Sequence, residues 1–182
     1  MREEAELPEE IVWQGRFIAA KKRGKWEYVS RARGIHAAVI LAIDDGQVIL
    51  VEQYRVPLGG YCLELPAGLV GDECEGEEEE AAAIRELEEE TGYRASRMVR
   101  LGSFHSSPGM VSEAFTLLRA EGLEKTGEGG GVAGEEIVVH RVPLGDVPAL
   151  VAAKRAEGCA IDVKLLLLLA SALLRPLGAA EE

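Results

Sequence analysis

Apolar and polar positions alternate through the first third of the chain and then change period. IVWQGRFIAA (11–20) and KWEYVS (25–30) flank the polar KKRG and predict a β-hairpin. HAAVILAI (36–43) and QVILVEQY (47–54) flank Asp44-Asp45-Gly46, and an Asp-Gly between two apolar runs is a strong hairpin signal. YCLEL (61–65) reads as a further strand that stops at Pro66-Ala67-Gly68. From about Glu77 the spacing becomes helical, with Ala81, Ile84 and Leu87 on one side and Thr91-Gly92 closing the run. Strands return at RMVRLGSF (97–104) and EAFTLLRA (113–120). The Gly-rich KTGEGGGVAGEE (125–136) then leads into EIVVHRV (136–142). Two helices, roughly 145–156 and 161–174, end the chain. Strands enclosing one helix, with helices closing the end, predict an α+β chain built as a mixed sandwich, not a doubly wound sheet.

Composition narrows the class. A chain of 182 residues that is 47% hydrophobic and 29% charged suits one globular domain with a sizeable core. Its formal charge of −12 argues against a nucleic-acid partner, which needs clustered Lys and Arg. A phosphorylated small molecule remains compatible, provided cations or local arginines neutralise the site. Cys62, Cys74 and Cys159 are odd in number and lack metal-ligand spacing, so a reduced, cytoplasmic setting is expected. The opening MREEAELPEE lacks the apolar core of a signal peptide. VKLLLLLASALL (163–174) is too short to span a bilayer, so no membrane partner is expected. His36, His105 and His140 have no metal spacing and read as structural.

One helix is loaded against its own electrostatics. In GEEEEAAAIRELEEETGY (76–93), Glu77 to Glu80 sit where the helix dipole favours acid, but Glu88 to Glu90 sit where it does not. Each misplaced carboxylate costs about 0.3–1 kcal/mol. The like pair Glu86 and Glu90, at i and i+4, costs about 0.2–0.5 kcal/mol more. At about 100° per residue, Glu86 and Glu90 lie about 40° apart, with Glu89 about 60° to the other side of Glu86. Such a strip of carboxylates suits a hard divalent cation that bridges to substrate phosphates. Arg85 lies beside the strip and is placed to hold a carboxylate by a bidentate contact. An ordinary solvated helix face is the bland alternative for such a run.

These residues resemble a known family. Gly71, Glu77, Arg85-Glu86-Leu87, Glu89-Glu90 and Gly92-Tyr93 meet every fixed position of the Nudix box, G-x5-E-x7-R-E-U-x-E-E-x-G-U. The resemblance implies a Nudix-type α/β/α sandwich of mixed sheets around the box helix. It also implies an N-terminal β extension (1–32) preceding the Nudix domain (33–182) and serving as the interface of a homodimer. The implied cofactor is Mg²⁺, or Mn²⁺ in its place. Its ligands would be Glu86, Glu90, Glu135 and a backbone carbonyl, either that of Ala67 or that of Val70, since the loop between Pro-Ala-Gly and the box glycine is lengthened here.

The branch is suggested by further segments. Ser106-Ser107-Pro108-Gly109-Met110-Val111-Ser112-Glu113 resembles the SPG-x-x-S-E segment of ADP-ribose pyrophosphatases, with Pro108 lying 15 residues beyond Tyr93. Glu52-Gln53-Tyr54-Arg55 and Glu64-Leu65-Pro66-Ala67-Gly68 are also similar to that branch. The resemblance implies that Arg33 and Arg55 contact phosphate or ribose, that Leu69 and Ser107 line the pocket, and that Glu113 meets the terminal ribose. Catalysis would involve Arg85 and a general base, either Glu135 in the Gly-rich loop or Glu89 on the helix; Glu128 and Glu136 share that loop, and Ala133 stands where relatives can carry the base. The glycines of this loop are suited to closing over substrate. Trp13, Trp26 and Tyr28 are candidates to stack the base. The expected reaction is Mg²⁺-dependent hydrolysis of ADP-ribose to AMP and ribose 5-phosphate. The alternatives are another nucleoside diphosphate sugar such as GDP-mannose, and an ADP-ribose sensor without catalysis.

Overall fold

The computed structural model describes residues 2–32, 35–71, 77–132 and 134–173. Arg33, Cys74 and Ala133 therefore lie outside the described residues. A short helix, α1 (Arg2–Ala5), precedes an antiparallel three-stranded sheet of β1 (Glu10–Gln14), β2 (Ile18–Arg23) and β3 (Trp26–Arg31). The expected hairpin is thus one half of a meander. The run 11–20 breaks at Gly15, whose N–H is bonded to the carbonyl of Ile18.

The rest is built on β4 (His36–Asp44) and β5 (Gln47–Arg55), joined by a tight turn in which Asp45 and Gly46 both take positive φ. The two strands pair only at Ile43–Val48 and Asp44–Gln47, then part. Beyond the turn β4 pairs in parallel with β10 (Phe115–Glu121) and antiparallel with β7 (Ala67–Val70). Strand β5 pairs with β6 (Gly60–Glu64) and β12 (Val138–Pro143). Strands β9 (Arg97–Phe104) and β13 (Ala160–Ile161) complete this eight-stranded mixed sheet. A separate two-stranded ribbon joins β8 (Tyr93–Arg94) to β11 (Glu124–Lys125).

Helices cover both faces. The box helix α2 (Glu79–Thr91) buries Ala82, Ala83 and Leu87 against Ala38, Ile40 and Ala42 of β4. On the opposite face Val39 and Leu41 pack with Val147 and Val151 of α3 (Val147–Ala156) and Leu169 of α4 (Leu166–Leu173). Alternate residues of one strand thus feed two separate cores, which is why HAAVILAI carries an unbroken apolar run. The architecture is the expected α+β type, an α/β/α sandwich. Among the described residues no helix is long and apolar enough to cross a membrane. Strand β7 departs from expectation: Pro66-Ala67-Gly68 does not end the strand region. Pro66 makes a corner whose carbonyl accepts the N–H of Ile40, and the chain then re-enters the sheet beside β4.

Candidate active site

The site forms where the last two turns of α2 meet β7. Glu90 points inward, only 6% exposed, and accepts the N–H of Ala67 at 3.0 Å. Burial pushes its carboxyl up to about 8. The Ala67 N–H and Arg55 pull it down, while Glu86 and Glu135 push it further up. One turn earlier Glu86 lies against Gly68, so close that a Cβ there would fall 2.1 Å from its Cγ and Cδ. Glycine at 68 is what lets the carboxylate reach the strand.

Arg85 arranges the remaining acids. Its Nε donates to Glu77 at 3.3 Å, Nη1 to Glu89 at 3.1 Å, and Nη2 pairs with Glu86 at 3.1 Å. The second oxygen of Glu77 is buried without a hydrogen-bond partner. The helix end, loaded with acid, is compensated from outside the helix. Gly130 N–H donates to the carbonyl of Glu90 at 2.9 Å and Gly131 N–H to that of Glu89 at 3.0 Å. Thr126 and Gly127 N–H groups both reach the carbonyl of Gly92. Amide hydrogens from the Gly-rich loop therefore meet the negative end of the helix. This loop is docked on the end of α2 by these bonds. Glu135 is folded onto it, its carboxylate accepting Val132 N–H at 3.1 Å.

Among the described residues, no group of three or more His, Cys, Asp or Glu is arranged to hold a metal ion unaided. Each carboxylate has a partner: Glu86 and Glu89 face Arg85, Glu90 accepts from Ala67, and Glu135 accepts from Val132. By type the residues fit a divalent cation. The donors are all oxygen, and the Glu86 carboxylate raises the cost of charging Glu90. The three histidines sit elsewhere, beside Glu79, the carbonyl of Glu113 and Glu52.

Next to these acids opens a cleft of about 320 Å³. Arg55 reaches it from the end of β5, fixed by a fork of two 2.7 Å bonds to Glu64, which is 4% exposed. Leu69 and Glu113 line it. Ser106 lines it and Ser107 does not; the carbonyl of Ser107 accepts the N–H groups of Met110 and Val111. Three charged lining residues carry no signal in the sequence. Arg31 ion-pairs with Glu113 at 2.6 Å, Glu64 anchors Arg55, and Lys164 is held by Asp162 at 2.6 Å. Glu64 lay inside a segment already singled out, but an acid facing an arginine nine residues earlier leaves no periodic signal. Of the aromatic candidates, Trp26 and Tyr28 line a different recess beside Pro108, and Trp13 is exposed on β1.

The NUDIX domain profile matches residues 32–160. The chain belongs to the Nudix hydrolase family. It is 38% identical over 131 residues to the ADP-ribose pyrophosphatase of Bacillus subtilis (strain 168), covering 71% of this chain and 68% of that one. It is 35% identical over 156 residues to the GDP-mannose pyrophosphatase of Cronobacter sakazakii (strain ATCC BAA-894), covering 81% and 76%. Several other curated relatives are spanned over only about half their length. A solved structure described as an ADP compounds hydrolase superposes with a TM-score of 0.67 over 92% of both chains at 24% identity, a likeness of fold.

Proposed function

We propose that this Nudix chain hydrolyses the pyrophosphate of ADP-ribose, with Mg²⁺ or Mn²⁺, to AMP and ribose 5-phosphate. The observation that carries the reading is the placement of Glu86 and Glu90 on Ala67-Gly68, at the edge of a cleft lined by Arg31, Arg55 and Glu113. Glu86, Glu90 and the Ala67 carbonyl would hold the divalent ion, with Glu135 joining from the loop. The bound ion supplies charge neutralisation on the two phosphates and acidifies a water. Arg85 keeps Glu86 and Glu89 aimed. Arg55, stiffened by Glu64, offers a fixed cation to phosphate. The base is either Glu89 or Glu135: the first is paired with Arg85 and the second with the N–H of Val132.

A GDP-mannose substrate is the second reading, favoured by the relative that aligns over 81% of this chain. Incubating the protein with both substrates and timing AMP and GMP release separates them. A tenfold or greater preference for GDP-mannose would sink the ADP-ribose assignment. Binding of ADP-ribose without turnover in either metal would make the chain a sensor.

The same reading makes the protein a homodimer through its N-terminal sheet, where Ile11, Val12, Trp13 and Phe17 stand exposed. Sedimentation of the full chain tests this, and a monomer at micromolar concentration would count against it. A cytoplasmic setting agrees with free Cys62 and Cys159.

A further inference from the structure

An acidic arm is clasped to the N-terminal sheet. Glu3, Glu4, Glu6, Glu9 and Glu10 crowd residues 3–10, whereas the sheet carries Lys21, Lys22, Arg23 and Lys25 on β2 and the turn after it. Lys21 and Tyr28 are register partners, as are Arg23 and Trp26, so two cations and two aromatic rings share one face. Glu9 meets Lys21 at 2.7 Å and Arg23 at 3.2 Å, and accepts the Tyr28 hydroxyl. Glu4 accepts Trp26 Nε1–H at 3.3 Å and pairs with Lys25 at 3.6 Å. Arg23 Nη1 also donates to the Ala5 carbonyl at 3.2 Å. The arm and these side chains form one wall of a recess of about 250 Å³, and Pro108, Gly109, Val111 and Ser112 form the other. That second wall is bonded to β3, with Val29 N–H on the Met110 carbonyl and Ser112 N–H on the Val29 carbonyl, both at 2.9 Å. It runs into Glu113 as β3 runs into Arg31, the ion pair that lines the substrate cleft.

We propose that residues 3–9 are a releasable strap, an autoinhibitory contact that competes with the substrate and opens as ionic strength rises. The proposal rests on the nucleoside diphosphate sugar reading above. Glu4 and Glu9 present to Lys21, Arg23 and Lys25 the kind of negative charge that such a substrate carries on its phosphates. They also take up the polar ends of Trp26 and Tyr28, so strap and substrate exclude each other from this wall. Nothing but charge holds the strap firmly. None of residues 3–10 is buried, and Leu7, its one large aliphatic side chain, is 45% exposed. Arg23 Nε is buried with no hydrogen-bond partner among the described residues, so the closed contact leaves a donor unmet. Exposed ion pairs are individually weak and are screened by salt. The covalent tether to β1 lets such weak pairs compete, because it keeps the local concentration of the arm high.

Calorimetry with ADP-ribose on the full chain, without metal, compares the wild type with Glu4→Ala/Glu9→Ala. At about 50 mM salt the variant should bind at least about threefold more tightly, and the difference should vanish at about 500 mM, where charges are screened within a few ångströms. Glu3→Ala/Glu6→Ala removes the same charge but keeps the clasp, and should gain less than about twofold. Cleavage of the wild-type arm by a Glu-specific protease should speed up over the same salt range, and equal melting temperatures show that the variants are folded. Four results overturn the strap: Glu4→Ala/Glu9→Ala binding no tighter than the wild type, an equal gain in Glu3→Ala/Glu6→Ala, a difference that persists at high salt, or an arm cleaved equally fast throughout. Tighter binding by Glu4→Ala/Glu9→Ala with no hydrolysis by any of the proteins in Mg²⁺ overturns only the proposed reaction. Failure of all of them to bind ADP-ribose overturns both.

Discussion

The carboxylate of Glu90 accepts the main-chain N–H of Ala67 at 3.0 Å, which fastens the last turn of α2 to the first residue of β7. This contact joins the acidic helix to the Pro-Ala-Gly corner. It also leaves a carboxylate almost without water, so the group must be neutralised by a proton or by a cation. Local structure, electrostatics and the proposed chemistry meet at this one side chain.

A pH dependence follows from it. Burial, with Glu86 and Glu135 adding to it, raises Glu90 from 4.5 to about 8. The folded chain therefore holds a proton that the unfolded chain releases. This contribution to stability is complete below about 4.5 and is lost as pH rises through about 8. In EDTA the melting temperature of the wild type should thus fall, relative to Glu90→Gln, between pH 5.5 and 9. Millimolar Mg²⁺ should reduce that fall and raise the melting temperature at pH 8, because the ion binds the charged form. A wild-type melting temperature that climbs against the variant over this window, or ignores Mg²⁺, contradicts the account.

Glu90→Gln should also separate stability from activity. Glutamine keeps an oxygen for the Ala67 N–H but carries no charge, so the metal-free variant should melt no lower than the wild type at pH 8. Turnover should drop by more than about 100-fold, since even residues that merely support a ligand cost 10–100-fold. Unchanged turnover would remove Glu90 from the site.

How far could the sequence be read? The box helix, its glycine stop and the turn joining β4 to β5 were legible because each leaves a periodic or local signature. Strand β7 was not, since Ala67-Gly68-Leu69-Val70 follows a proline corner and is held in place by the distant strand β4. Glu86 and Glu90 could be located by their cost to the helix, a local quantity. Arg31 and Lys164 could not, because they reach the cleft from the N-terminal sheet and from the turn before α4. Ser106 and not Ser107 lines the cleft, a one-residue difference that motif spacing cannot resolve. The docking of the Gly-rich loop was hidden for a related reason: glycine predicts freedom, and what removes the freedom here is the set of carbonyls at the end of α2.

Gly68→Ala probes the approach of Glu86. The added Cβ would meet the flexible end of that side chain, 2.1 Å away, and not buried backbone. Glu86 can swing aside, so the melting temperature should fall by only a few degrees. The Mg²⁺ concentration needed for half-maximal turnover should rise at least about tenfold, the scale of a displaced ligand. Equal Mg²⁺ dependence in the two proteins would dissociate Glu86 from the metal.

Gly92→Ala tests whether the loop's grip on the helix end matters to the site. Gly92 has φ 71°, a left-handed conformation that costs an alanine about 1–2 kcal/mol. A Cβ there would also lie 2.2 Å from the carbonyl oxygen of Gly127 and 2.7 Å from the nitrogen of Gly129, both backbone atoms. Neither can move without carrying the loop, so the substitution should lift residues 127–131 away from α2. The amide hydrogens of Gly130 and Gly131 would then leave the carbonyls of Glu90 and Glu89, uncovering the negative end of the helix beneath three glutamates. The variant should melt several degrees lower, and hydrogen exchange at Gly130 and Gly131 should accelerate well beyond that of β4. Turnover should fall with it, because Glu135 and the helix end share this one loop. A variant whose loop amides stay protected while activity is lost would show that Gly92 serves the site by some route other than this docking.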